Sequence, residues 1–156
     1  MAITAAGDIK GILAASAAVA AGISGVVKVY EKVGEIAATD ASLPAVIQDV
    51  TAPDLPVSRI DHTASHEIVD HYWYLYLLVD RAGDLYAEQD AAMPFIPLVM
   101  ARYRSNVQLG EPMAVARCLP ESSRIVVVSF GTQSFLSARF LMHAKSIWPV
   151  EYTDPA

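Results

Sequence analysis

The segment HEIVDHYWYLYLLVDR, residues 66 to 81, constrains the fold more than any other part of the chain. A glycine turn and a helical stretch ending in YRSNVQLG at residue 110 follow it. Its β-branched and aromatic residues alternate at period two, so it reads as one strand of about sixteen residues, where about five or six is usual. Successive side chains of a strand point to opposite faces. Trp73, Leu75, Leu77 and Val79 therefore share one face, a natural core set, while Tyr72, Tyr74 and Tyr76 share the other. Tyrosine rings bury apolar area yet keep their hydroxyls near water, which suits a subunit interface or a face covered by a helix of the same chain. A strand of this length implies a sheet reaching outside a single compact subunit.

The remaining length suffices to bury a core around such a strand. At 156 residues, with 54% hydrophobic and 18% charged, the chain reads as one folded domain spanning residues 1 to 156. Its one cysteine, Cys118, excludes an internal disulfide and fits a reducing compartment such as a cytoplasm. The net charge of -6 argues against a protein that grips duplex DNA. That charge is uneven: residues 1 to 100 hold 5 basic and 13 acidic side chains, whereas residues 101 to 156 hold 6 basic and 4 acidic. Such polarity lets copies meet with opposite signs across a contact. Residues 11 to 27, GILAASAAVAAGISGVV, approach a membrane span in length. Alanine and glycine contribute little transfer energy, so the segment is expected to be a buried helix and no membrane partner is implied.

The pattern along the chain predicts an α/β (α+β) domain with a mainly antiparallel sheet, an N-terminal helix and a central helix or broken helix pair. Asp8 can cap a helix running to about Ala21, with Ile9, Ile12, Leu13, Val19 and Ala20 on one stripe. Ser16 falls inside that stripe and is expected to bond back to the carbonyl one turn earlier. Gly22 to Gly25 end the helix, and strands follow at 26 to 31 and 45 to 50, separated by a polar loop over 32 to 43. Residues 51 to 65, with Pro53 and Pro56, form a long loop or hairpin extension. After Gly83, Asp84 can cap a helix carrying Leu85, Ala92, Ile96, Val99 and Tyr103, and Pro94 and Pro97 predict a break near Met93. Three further strands are expected at about 114 to 119, 125 to 130 and 135 to 148, the last two joined by the turn GTQS. In the last, Leu136, Ala138, Phe140, Met142 and Ala144 share one face, and Ser137, Arg139, His143 and Lys145 share the other.

The one cluster with the residue types of a catalytic or metal site is Asp61, His62, His66, Glu67, Asp70 and His71. His66-Glu67 begins the H-E-x-x-H pattern of a zinc protease helix, but the second histidine falls one place late, at His71. On a helix five residues turn about 500°, leaving the two rings about 140° apart. On a strand, His66 and Asp70 share one face, with Glu67 and His71 on the other, which disperses the cluster. No phosphate-binding loop, dinucleotide motif or nucleophile elbow is present, so no cofactor and no catalytic or metal residue is assigned. A small metal-dependent hydrolase using His62 and His66 and a small-ligand binding domain remain the readings from other classes. Arg102 and Arg104 end a helix, where they complement its dipole or make ion pairs between subunits.

The Ala-rich helix leading into VVKVY, then LPAVI, HYWYLYLLVDR, the helix ending YRSNVQLG and the hairpin VVVSFGTQSFLSARFLMHA together resemble the tail-terminator proteins of long-tailed bacteriophages. The resemblance covers most of the chain and is one of pattern and order. It implies a structural virion protein without catalytic residues, assembled in the host cytoplasm into a ring, generally of six subunits. Such a ring ends tail-tube growth, contacts the tail-tube protein and the head-tail connector, and lets DNA pass through its lumen without specific binding. A head-closure or adaptor protein of the neck is the alternative from the same region. On this reading Tyr72, Tyr74, Tyr76, Arg102, Arg104 and Arg139 are candidates for subunit contacts, and Asp49, Asp54 and Asp61 for an acidic lumen that repels duplex phosphates.

Overall fold

Alternation between apolar and polar faces over three very long segments organises everything else in the structure. The computed structural model describes residues 9–30, 42–62, 66–81, 85–109, 115–131 and 133–149. In chain order these form α1 (Ile9–Ala20), β1 (Lys28–Tyr30), β2 (Ala45–Asp49), β3 (Ser58–His62), β4 (His66–Arg81), α2 (Leu85–Ala92), α3 (Phe95–Arg104), β5 (Val115–Phe130) and β6 (Gln133–Pro149). The fold is α+β, with one six-stranded sheet in the order β1-β2-β4-β6-β5 and β3 also paired to β4. All pairings are antiparallel except that of β1 with β2. The predicted caps Asp8 and Asp84, most of the loop over 32 to 43, Gly110 and Thr132 of the GTQS turn lie outside the described residues.

β4 has the predicted sixteen residues and pairs along its whole length with the seventeen of β6. β2 takes the opposite edge of β4 at Tyr74 to Leu78, and β3 takes the same edge at Glu67 to His71. The segment after Thr51 is thus a turn followed by a hairpin strand. Where three closing strands were expected there are two, because 115 to 130 is a single strand of sixteen residues. Pro120 and the polar run after it signal a loop, yet β5 lies at the sheet edge, where a missing N–H on the outer side breaks no ladder. The register shifts between Pro120 and Ser122, so Glu121 is the extra residue of a bulge. The break in the central helix falls where the prolines put it, with Pro94 preceding the first residue of α3.

Core burial follows the alternation. Trp73, Leu75, Leu77, Phe140 and Met142 are fully buried, as the pattern predicts, together with Ala138 and Ala144. α1 and α3 pack on this face, where Ile12, Val19, Ala20, Val99 and Tyr103 join the same cluster. None of the described helices is long and apolar enough to cross a membrane.

Three side chains tether α1 along one stripe of its carbonyls. Gln48 Nε2 donates to Leu13 O at 2.8 Å, Tyr103 Oη to Ser16 O at 3.0 Å and Arg102 Nε to Val19 O at 2.9 Å. Trp73 Nε1 in turn donates to Gln48 Oε1 at 3.0 Å, which links the sheet core to the helix. Ser16 Oγ lies 2.8 Å from Tyr103 Oη, so its partner is the neighbouring helix and not the expected carbonyl one turn back. The small side chains of α1 explain this: Ser16 and Ala17 are buried and let α3 approach closely enough for a tyrosine hydroxyl to reach the backbone. Gly22 continues the requirement, since a Cβ there would fall inside the Arg102 guanidinium.

Gln48→Ala should cost about 2–3 kcal/mol in urea denaturation, because it strands the buried indole N–H of Trp73 and removes a donor from α1. Burial also pushes the Cys118 thiol up from 9.0 to about 12. Between those values the unfolded chain has released this proton while the fold retains it, so stability falls as pH rises across that window. The slope from one such group is at most about 1.4 kcal/mol per pH unit. Cys118→Ala should flatten the fall measured by denaturation at about pH 8 and about pH 10.5. Burial of Tyr103 acts in the same direction above the ordinary tyrosine range.

Candidate functional site

With the helices on one face, the other face of the sheet is the place to look for contacts with anything outside the chain. Register fixes its rows. Asp61, Ile68 and Ile147 form one row, and Arg59, Asp70, Lys145 and Arg117 form the next. Tyr72 with His143, then Asp49, Tyr74, Leu141 and Ser122, then Ile47, Tyr76, Arg139 and Arg124 follow.

The most structured part of this face is centred on His143. Its Nε2 lies 2.6 Å from Asp70 Oδ1 and its Nδ1 2.7 Å from Glu121 Oε1. Both ring nitrogens thus face a carboxylate, so both contacts are hydrogen bonds only if the imidazole carries two N–H groups or one acid keeps its proton. The bulge in β5 turns Glu121 onto this face, and Tyr72 stacks on the imidazole at 4.7 Å with an interplanar angle of 6°. Burial raises the Tyr72 hydroxyl above its usual range, with the charges of Asp70 and Glu121 adding to the shift. Asp70 and His143 appear in the sequence only as members of separate polar patterns. Nothing in it pairs them, and the role of Glu121 depends on a bulge that local propensity does not specify.

Tyr74 and Tyr76, expected at a subunit contact, are instead largely consumed inside the chain. They are only 8% and 7% exposed. Tyr74 Oη donates to Asp54 Oδ2 at 2.9 Å, and the Arg139 guanidinium lies over the Tyr74 ring at 4.4 Å. Tyr76 meets Phe130 edge to face at 5.6 Å. Burial raises both hydroxyls, aided at Tyr74 by the bond to Asp54 and opposed at Tyr76 by Arg139. Among the described residues the cover comes from Ala52 and Leu55 of the turn, which with Phe130 and Phe135 pack into a second cluster around these rings. Tyr72 remains half-buried.

The other named residues divide similarly. Arg102 is half-buried and its Nε is committed to Val19 O of α1, whereas Arg104 is exposed. Among the lumen candidates, Asp49 is half-buried and accepts from Thr51 N and Oγ1, Asp54 is held by Tyr74, and Asp61 is exposed on β3. Exposed apolar side chains mark the sheet margins: Val57, Ile60 and Ile147 at one end and Val127 on β5.

The histidine cluster is in strands, not on a helix. His66 and Asp70 fall on the open face, while Glu67 and His71 point to the helix side, as the strand reading predicts. His71 is fully buried and its Nδ1 lies 2.7 Å from Ser58 Oγ across the β3–β4 pair. The side chain of His62 lies outside the described residues. Among the described residues no group of three or more His, Cys, Asp and Glu side chains is arranged to hold a metal ion. The chain matches no protein-family model and no curated protein.

His143→Ala should destabilise the fold by about 1–3 kcal/mol, because it leaves the mostly buried carboxylate of Asp70 without its partner. Glu121→Ala, which removes a half-exposed carboxylate, should cost less than about 1 kcal/mol. Equal losses for the two variants in chemical denaturation would refute this ordering.

Proposed function

We propose that the protein is a structural subunit of a phage tail: a ring component at the head-proximal end of the tail tube that ends tube growth and joins the tail to the head connector. The observation that carries the reading is the sheet itself. Among the described residues, three strands of sixteen or seventeen residues carry α1 and α3 on one face, and the uncovered part of the other face and the long β5 edge offer contact surface. Strands of that length reach about 50 Å, further than the short helices of 8 to 12 residues can cover. A plate of this kind is suited to stacking and lateral contact. The element order that resembles tail terminators supports the same reading: helix, strand, strand, hairpin extension, long strand, broken helix, long hairpin.

The reading asks for no chemistry. The Ser58–His71 contact belongs to the pairing of β3 with β4, and the residues of the zinc-protease-like string are divided between the two faces. An acidic chain also suits a passage for DNA, since like charge keeps phosphates off the wall.

Electron microscopy of particles assembled with the wild-type chain tests the proposal. A closed ring of this subunit at the head-proximal end of the tube is the expected result. A single copy there, or its absence from the head-tail junction, would refute it, and a ring bound to the portal side and absent from isolated tails would favour the head-closure role.

A further inference from the structure

We propose that this chain docks a second copy of itself head to tail and side by side, with the open faces turned the same way. Asp49 and Asp61 at one side of the sheet meet Arg124 and Arg117 at the opposite side of the next copy. The inference rests on the ring reading and deepens it by naming the contact that closes the ring.

The first ground is charge segregation. The half of the sheet formed by β1, β2, β3, β4 and the turn between β2 and β3 carries Asp49, Asp54, Asp61, Glu67, Asp70 and Asp80 against Lys28, Arg59 and Arg81. The β5–β6 hairpin carries Arg117, Arg124, Arg139 and Lys145 against Glu121. Internal partners occupy several of these groups: Asp54 holds Tyr74, Arg139 covers Tyr74, Asp70 and Glu121 hold His143, and Asp49 accepts from Thr51 through Oδ1. Arg59 stands directly across from Asp70, which offsets it. Asp61, Arg117 and Arg124 are exposed and have no ion-pair partner among the described residues.

The second ground is matched spacing. With β4 as the ruler, Asp61 is level with Ile68 and Asp49 with Tyr74. Through β6, Arg117 is level with Asp70 and Arg124 with Tyr76. The acids and the arginines are therefore each six β4 positions apart, about 20 Å, and all four side chains project from the same face. The two sets are offset by the same two positions, one row or about 7 Å, so a single slide of one copy along the strand direction brings both pairs together.

The third ground is direction. β5 runs parallel to β4, whereas β2, β3 and the β1 strand outside β2 run against β4. Side-by-side copies in the same orientation thus bring antiparallel strands to the contact. A two-fold dimer through like edges would set arginine side against arginine side. Joining unlike sides is a heterologous contact, which closes a ring when the rotation between copies allows it and otherwise extends as a filament. Asp49 and Asp61, lumen candidates from the sequence, become subunit contacts on this assignment.

Sedimentation velocity of the full chain at low and high salt tests the contact, using wild type, Asp49→Asn with Asp61→Asn, Arg117→Gln with Arg124→Gln, and an equal mixture of the two double variants. Asp→Asn is nearly isosteric and keeps the turn acceptor at residue 49, and Arg→Gln shortens only exposed side chains, so the thermal unfolding midpoint should stay close to wild type. Wild type should associate beyond a dimer at low salt and dissociate as screening shortens to a few ångströms. Each double variant should bind about tenfold more weakly. The mixture should stop at heterodimers, because only one intact contact remains, and Arg124→Lys should retain association. A wild type that is monomeric at low salt, association unchanged in both variants, or a mixture that assembles like wild type would overturn the contact. Particles that still carry rings of either double variant would leave the ring reading intact and refute this interface, whereas wild-type particles without the ring refute the ring reading itself.

Discussion

The full-length pairing of β4 with β6 is the constraint on which the rest of the structure depends. Because side chains alternate with period two, one register assigns every residue of both strands to a face at once. Trp73 opposite Met142, Leu75 opposite Phe140 and Leu77 opposite Ala138 build the helix-side core. The same register places Tyr72 beside His143, Tyr74 beside Leu141 and Tyr76 beside Arg139. A slip by one residue would put indole and phenyl rings on the open face and arginine and histidine under the helices. The large burial difference between the two outcomes is what makes so long a ladder specific.

Attachment of the helices to this plate relies on polar bonds as well as apolar area. The stripe of α1 that meets the sheet and α3 is built from alanine, serine and a few aliphatics, and such side chains bury little area per residue. Gln48, Tyr103 and Arg102 compensate by donating to the Leu13, Ser16 and Val19 carbonyls, which are spaced three residues apart along one side of the helix. Each bond is made in a partly or fully buried setting, where loss of one partner leaves a polar group unsatisfied. The helix is therefore held at a fixed rotation on the sheet and not merely at a distance from it.

The elements whose signals are local were legible in the sequence. β4 showed as alternation, the break between α2 and α3 as Pro94 and Pro97, and the β6 core face as Leu136 to Ala144. What escaped depends on partners distant in sequence. β5 was split at Pro120 because nothing local says that the strand lies at an edge, where proline is tolerated. Arg102 looked like a helix-end cation, and its true acceptor, Val19 O, is 83 residues away. The site suffered most: the Asp70–His143 contact spans 73 residues and joins a face that alternation had marked only as polar.

A sheet with helices on one face must solve the second face differently, and the solution bears on what the molecule can do. A covering helix would add a third layer and use up the surface. Here the cover over Tyr74 and Tyr76 is a short turn together with Phe130, Phe135 and the Arg139 guanidinium. Rings with polar tips suit this, because their bodies pack while Asp54 satisfies the hydroxyl of Tyr74 at the water boundary. The tyrosine face is thereby packed by a turn and ring contacts. Strand register then sets the spacing of the exposed charges on its two sides, and a set spacing is what lets a surface discriminate one partner from another. Flexible loops carrying the same aspartates and arginines would hold no common spacing.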